Sequence, residues 1–217
     1  MFKAIYGLKQ SPREWNLELH LHLVKIGYKS IQSDPCIYIR VVSGFQLPII
    51  LILYVDDTLA IYHPDMESIW ESDKKKISDK YKITDMGPAN WILKMKLVRD
   101  QDGGRITLDQ TAYIDHMLQE FGMIDCNIYA TPSTLIDFTD PNHQRGEPLN
   151  AEQHAIYRSM VGALLYAANV TRVDISYIVG LLARYVSYPT EQHMVAAKHV
   201  LRYLKGTKDL KLHFIRP

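Results

Sequence analysis

Apolar positions along this chain change period several times, and each change marks an element. From Ser11 onward, Trp15, Leu19, Leu23 and Ile26 fall on one helical stripe, although Leu17, Leu19, Leu21 and Leu23 also alternate as a strand would. The ends decide for a helix: Ser11 as cap, Pro12 at the first helical position, Glu14 closing a capping box and Gly27 as the stop. Two β-rich runs then flank Ser43-Gly44, from Cys36 to Val42 and from Leu47 to Tyr54, and predict a hairpin. The second run is apolar on both faces, which predicts a central strand buried on both sides. It breaks at Asp56-Asp57 and resumes from Thr58 to Tyr62, so a second hairpin carries two carboxylates at its tip. Pro64 to about Tyr81 reads as a charged amphipathic helix.

Further on, Trp91 to Val98 and Arg105 to Leu108 predict another hairpin, turned by Asp102-Gly103-Gly104. Thr111 to Phe121 is a short helix stopped by Gly122, and 131–150, with three prolines, reads as a linker. Helices follow over Ala151 to Asn169, Asp174 to Val186 and Glu191 to Lys205. The fold class expected is therefore α+β. Residues 1–130 form a mixed part, 131–150 a linker and 151–217 a mostly helical part.

Composition adds limits rather than identity. Hydrophobic residues make up 47% of the chain and charged residues 23%, enough for a buried core. The two cysteines, Cys36 and Cys126, form no CxxC pair, so neither a zinc site nor a disulfide framework follows and a reducing compartment fits. The longest apolar run, Leu47 to Val55, is too short to span a bilayer, and the start lacks a signal peptide; no membrane partner is expected. Net charge is only +1, but from Arg184 to the end seven Lys/Arg face two acids, a local excess able to follow a phosphate backbone or to form a solvated helix face. Lys74-Lys75-Lys76 reads as a solvated face. His20 and His22 point apart on a helix and would not share a metal.

The chemistry lies at the carboxylate turn. Adjacent Asp56 and Asp57 repel each other, with no basic neighbour in sequence to relieve them. A hard divalent cation, Mg²⁺ or Mn²⁺, would remove that repulsion. A bare Asp-Asp pair is otherwise an ordinary polar turn.

The pair is not bare. Leu53-Tyr54-Val55-Asp56-Asp57 on a strand–turn–strand resembles the Tyr-x-Asp-Asp box of reverse transcriptases. Four more stretches resemble copia-type retrotransposon polymerases, in that family's order: Ala4 to Trp15, Ser33 to Tyr38, Tyr157 to Tyr166 and His199 to Thr207. The resemblance implies a partial palm in 1–130 and a thumb or connection region in 151–217. It implies RNA-directed DNA synthesis by two-metal phosphoryl transfer, with Mg²⁺ or Mn²⁺, deoxynucleotides and a primer on an RNA or DNA template. Asp56 and Asp57 would bind metal, and Tyr54 and Val55 would lie against the primer end. Tyr6, Gly7, Lys9 and Gln10 would border the incoming nucleotide, or merely turn the chain into its first helix. Trp91, Lys94 and Lys96 fall in the family's primer-grip hairpin, though the stretch also reads as a plain half-buried strand. The setting implied is intracellular, either a cytoplasmic virus-like particle or the nucleus.

Departures qualify that expectation. The family's third carboxylate stands on an earlier palm strand, and its fingers and that strand would precede this sequence, as a ribonuclease H domain would follow it. This chain by itself is therefore expected to be inactive. Lys94 stands where the family usually has Gly, and Val173 where it has Pro. The alternative is a non-catalytic nucleic-acid-binding module or a degenerate transposon relic, whose apolar strand 47–54 would lack a neighbour.

Overall fold

The computed structural model of the chain describes residues 10–100, 104–133 and 146–216. The chain divides into two compact units, Met1–Gly87 and Pro88–Pro217. Each unit combines an antiparallel sheet with helices, so the fold is α+β.

The first unit begins with helix α1, Ser11–Lys25. Pro12 sits in its first turn as expected, but the cap is Gln10 rather than Ser11, which is already helical. Gly27 (φ 101°) ends the helix in a conformation that favours glycine. Four strands follow: β1 (Lys29–Ser30), β2 (Ile37–Arg40), β3 (Ile49–Tyr54) and β4 (Asp57–Ile61), in the order β1-β2-β3-β4. A 3₁₀ turn, Pro64–Met66, then leads into α2, Glu67–Ser78.

Both helices pack on one face of this sheet. Leu19 and Leu23 of α1 and Ile77 of α2 share a core with Tyr38, Ile49, Leu51 and Leu53. Burial along β3 alternates accordingly, with Ile49, Leu51 and Leu53 buried and Ile50 and Ile52 only half-buried. The strand is central, as expected, but it is not buried on both sides within this unit. Nor does it lack a neighbour, since β2 and β4 flank it.

In the second unit the stretch from Trp91 to Val98 is not one strand. It folds into β5 (Trp91–Ile92) and β6 (Met95–Asp100) around a tight turn, and β6 pairs with β7 (Arg105–Asp109). Helices α3 (Thr111–Glu120), α4 (Ala151–Val170), α5 (Ser176–Ala183) and α6 (Glu191–Gly206) form the core, centred on Ile114, Met117, Tyr157, Leu164, Ile178 and Leu201. A last strand, β8 (Leu212–Ile215), returns to pair with β7. Helix α3 shares its core with α4 and α6, so residues on both sides of the 131–150 stretch belong to this unit. Arg172, fully buried after α4, donates to Asp174 (2.7 Å) and to the Thr207 carbonyl (3.1 Å), tying the end of α4 to the end of α6.

His193 closes the start of α6. The Thr190 backbone N–H donates to its Nδ1 (2.9 Å), and the ring stacks on Tyr185 at 4.2 Å. Burial lowers its pKa. A histidine with a depressed folded pKa contributes stability that is complete above its free value of about 6.5 and is lost as pH falls below it. The urea midpoint of the second unit is therefore expected to decline from pH 7 toward pH 5, and the decline to flatten in His193→Gln.

Candidate active site

The two carboxylates of the sequence reading sit at the tip of the β3–β4 hairpin. Tyr54 pairs with Asp57, leaving Val55 and Asp56 as a two-residue turn. Val55 adopts φ 54°. Positive φ is an outlier for a β-branched residue, and the first position of such a turn is where glycine is preferred. Strain of this kind concentrates at functional sites.

Asp56, Asp57, Tyr54 and Val55 are all exposed, Val55 to 70%. Directly paired residues share a sheet face, so Asp57 and Tyr54 project from the face carrying Ile52 and Ile50, away from α1 and α2.

What holds the turn is a residue whose role the sequence reading did not assign. The indole N–H of Trp15, one turn into α1, donates to the Val55 carbonyl at 3.3 Å. Trp15 in turn packs edge-on against Tyr81 (5.2 Å), whose hydroxyl donates to the Glu18 carbonyl at 3.3 Å. The signals in the sequence were Trp15's place on the apolar stripe of α1 and at the end of the Ala4 to Trp15 stretch, and neither pointed to the turn. Val55→Gly should relieve the left-handed strain and raise the first unit's stability by about 1 kcal/mol, read as a higher urea midpoint by tryptophan fluorescence.

Of the residues expected to border a nucleotide, Gln10 caps α1 and is exposed, its carbonyl accepting from the Arg13 and Glu14 amides at 3.1 and 3.2 Å. Tyr6, Gly7 and Lys9 lie outside the described residues. His20 and His22 are separate, as expected: the first contacts the Tyr38 hydroxyl (3.0 Å) and the second the Lys76 carbonyl (3.1 Å).

Asp56 and Asp57 offer hard oxygen donors of the kind Mg²⁺ prefers. Among the described residues no group of three or more His, Cys, Asp or Glu could hold a metal ion. The pair on its own therefore offers only part of a divalent cation's coordination shell.

Trp91, Lys94 and Lys96 belong to the second unit. The β5–β6 turn is Leu93-Lys94, with φ of 47° and 61°. Two successive positive values define a turn for which Asn-Gly is the preferred sequence. Trp91 lies directly opposite Lys96 across the hairpin, and both are exposed, Trp91 to 57%. Lys94 goes elsewhere, with its Nζ 5.7 Å from the centre of the Tyr113 ring. Tyr113 meets Tyr166 edge-on at 4.9 Å, and the Tyr166 hydroxyl donates to the Leu93 carbonyl. Burial, then the neighbouring Tyr166 and Glu120, push the Tyr113 hydroxyl up to about 12, and it donates to the Ala163 carbonyl at 3.2 Å.

Much of the basic excess near the end is drawn into contacts within the unit. Lys205 donates to the Cys126 carbonyl (2.7 Å), and Lys208 and Lys211 pair with Asp115 (2.9 Å) and Asp109 (3.0 Å). Arg202 donates to the Tyr129 hydroxyl at 3.1 Å. None of the described helices is long and apolar enough to cross a membrane.

The family model for reverse transcriptase (RNA-dependent DNA polymerase) matches residues 1–135. The chain is 35% identical over 211 residues to the retrovirus-related Pol polyprotein from transposon TNT 1-94 of Nicotiana tabacum, covering 94% of this chain and 15% of that protein. It is 31% identical over 218 residues to a putative transposon Ty5-1 protein of Saccharomyces cerevisiae, covering 99% of this chain and 67% of that protein. The Pol polyprotein from transposon RE2 of Arabidopsis thaliana is 32% identical over 207 residues, covering 95% of this chain and 14% of that protein. No solved structure matches. With the carboxylate hairpin in place and these likenesses running the length of the sequence, the chain belongs to the reverse transcriptase family, in its copia-type retrotransposon branch.

Proposed function

We propose that this chain supplies the metal-binding hairpin and a primer-positioning hairpin of a retrotransposon RNA-directed DNA polymerase. The observation that carries the reading is the Asp56-Asp57 pair on a strained, exposed turn whose carbonyl is tethered to α1 through Trp15. A bound pair of divalent ions would activate a primer 3′-hydroxyl and stabilise the departing pyrophosphate. Asp56 and Asp57 hold such ions by their carboxylate oxygens, and the Trp15 tether fixes where those oxygens stand. Tyr54 and Val55 border the primer end, and Gln10, with Tyr6, Gly7 and Lys9, borders the incoming deoxynucleotide. Trp91 and Lys96 form an aromatic and cationic face suited to nucleic acid.

The chain spans 15% of the length of the tobacco polyprotein, so the complete enzyme is larger under this reading. Its partners are an RNA or DNA template with its primer, a fingers and palm segment bearing the third carboxylate, and a ribonuclease H domain. The setting is a cytoplasmic virus-like particle or the nucleus.

One observation favours a second reading for the 217-residue chain taken alone: no third acid joins Asp56 and Asp57 among the described residues. By itself the chain then acts as a non-catalytic nucleic-acid-binding module. Extension of a labelled DNA primer on an RNA template separates the readings. A polyprotein-length protein containing this chain should extend the primer in Mg²⁺ and stop when the metal is chelated. If it binds duplex but never extends, the polymerase reading fails and the binding module stands.

A further inference from the structure

The turn Leu93-Lys94 has no residue that favours its conformation, yet both positions hold positive φ. Non-glycine residues in the left-handed region cost roughly 1–2 kcal/mol each, so neighbouring structure must enforce the turn. Three contacts do so. The Tyr166 hydroxyl of α4 donates to the Leu93 carbonyl, the Tyr113 ring of α3 faces Tyr166 at 4.9 Å, and the Lys94 ammonium lies 5.7 Å from that ring's centre. A cation within about 6 Å of an aromatic centroid is attracted to the ring face. The base of the hairpin is fixed separately, where the Leu97 amide donates to the Asn90 carbonyl at 2.8 Å.

We propose that Tyr113 and Tyr166 are positioning residues that clamp the tip of the 91–96 hairpin, that Lys94 is consumed in this clamp, and that nucleic-acid contact from the hairpin falls to Trp91 and Lys96. The last part rests on the reading of the chain as a reverse transcriptase segment, while the clamp stands on the contacts alone. The geometry divides the two lysines. Lys96 lies on the exposed face opposite Trp91, where a ring for base or sugar stacking and a cation for phosphate stand side by side. Lys94 is exposed as well, but its ammonium lies beside the Tyr113 ring of α3, 5.7 Å from the ring centre. The approach of its ammonium to the Tyr113 ring offsets part of the cost of that lysine's left-handed conformation.

The full 217-residue chain serves for the test. By NMR, the Lys94 ε-methylene protons should be shifted upfield by the Tyr113 ring and should return to ordinary positions in Tyr113→Leu. Tyr166→Phe should speed amide exchange at residues 92–96 about tenfold, with exchange in the α5 and α6 amides unchanged. In titrations with a primer–template duplex, Lys96→Gln should reduce the slope of log affinity against log salt by about one, as loss of a phosphate contact does, and Lys94→Gln should leave it unchanged. Ordinary Lys94 shifts in the unaltered chain, or unchanged exchange at 92–96 in Tyr166→Phe, would overturn the clamp. A reduced slope in Lys94→Gln would overturn the division of the lysines. Absence of any duplex binding would overturn the roles of Trp91 and Lys96 together with the reading beneath them, while the exchange and chemical-shift results would still decide the clamp.

Discussion

Asp57→Asn, placed in a polyprotein-length protein containing this chain, is expected to lower primer extension by about 10³-fold or more. Metal-ion stabilisation of a phosphoryl transition state is worth several kcal/mol, and each ~1.36 kcal/mol is a factor of ten. Asparagine keeps the shape of the side chain and removes its charge. The hairpin should survive, because Asp57 enters it through backbone pairing with Tyr54 and the turn is held by the Trp15 bond to the Val55 carbonyl. Duplex affinity at fixed salt should therefore stay within a factor of about two, since the phosphate contacts that dominate it lie elsewhere. Asp56→Asn should behave alike, being the other half of the same donor pair. Steady-state extension measured beside duplex anisotropy gives both numbers. Extension within about tenfold of the unaltered protein in both variants would remove the carboxylates from the chemistry. A parallel collapse of affinity would instead mean that the substitution had unseated the hairpin.

The candidate site was largely legible in the sequence because its signal is local. Two β-rich runs meeting at Asp56-Asp57 require a hairpin, and the hairpin puts adjacent carboxylates at its tip whatever surrounds it. The helix at Ser11, the stop at Gly122 and the helices beyond 150 were legible for the same reason: period and punctuation are properties of a few neighbouring residues. The failures involve residues distant in sequence. Ile50 and Ile52 look the same in a strand covered on one side or on two, and only the placement of both α1 and α2 against Leu51 and Leu53 decides. Pairing of β8 with β7 spans more than a hundred residues, so no turn announced it. The break at Leu93-Lys94 was signalled only by the resemblance to a primer-grip hairpin, because neither residue is a turn former; Tyr166, from a distant helix, holds the Leu93 carbonyl. Lys94 in the place of a glycine was visible, and φ 61° is the physical reason that place suits glycine.

Charge behaved differently again. An excess of Lys and Arg near the end is a fact of composition, but composition does not say what each cation meets. Lys205, Lys208 and Lys211 are engaged with Cys126, Asp115 and Asp109, so they bind the second unit together before any phosphate arrives. A segment whose cations are already engaged contributes less to counterion release than its count suggests. The exposed pairing of Trp91 with Lys96 is the more pointed nucleic-acid signal, and it comes from strand register.

The largest stability effect is expected at Asp73 of α2, which is 0% exposed. Its carboxylate accepts from Arg40 of β2, from the Tyr28 hydroxyl at 3.1 Å and from Lys76 Nζ at 2.9 Å. Arg40→Met should destabilise the first unit by about 3–5 kcal/mol, because it leaves a buried carboxylate without its principal counter-charge. Lys76→Met should cost no more than about 1 kcal/mol, since that ammonium is far more exposed and water screens it. Tyr28 is held as a donor: burial first, then the adjacent Asp73, push its ionisation well above the ordinary tyrosine range. A raised folded pKa means that this contribution is present below about pH 10 and is lost as pH rises beyond it. Removing the whole network, with Arg40→Met, Asp73→Leu and Tyr28→Phe together, should cost less than Arg40→Met alone, because no buried charge or hydroxyl is then left unpaired. Urea midpoints of the three proteins provide the comparison. If the triple variant is instead the least stable, the carboxylate network stabilises the first unit outright, and the penalty assigned to a stranded charge is wrong.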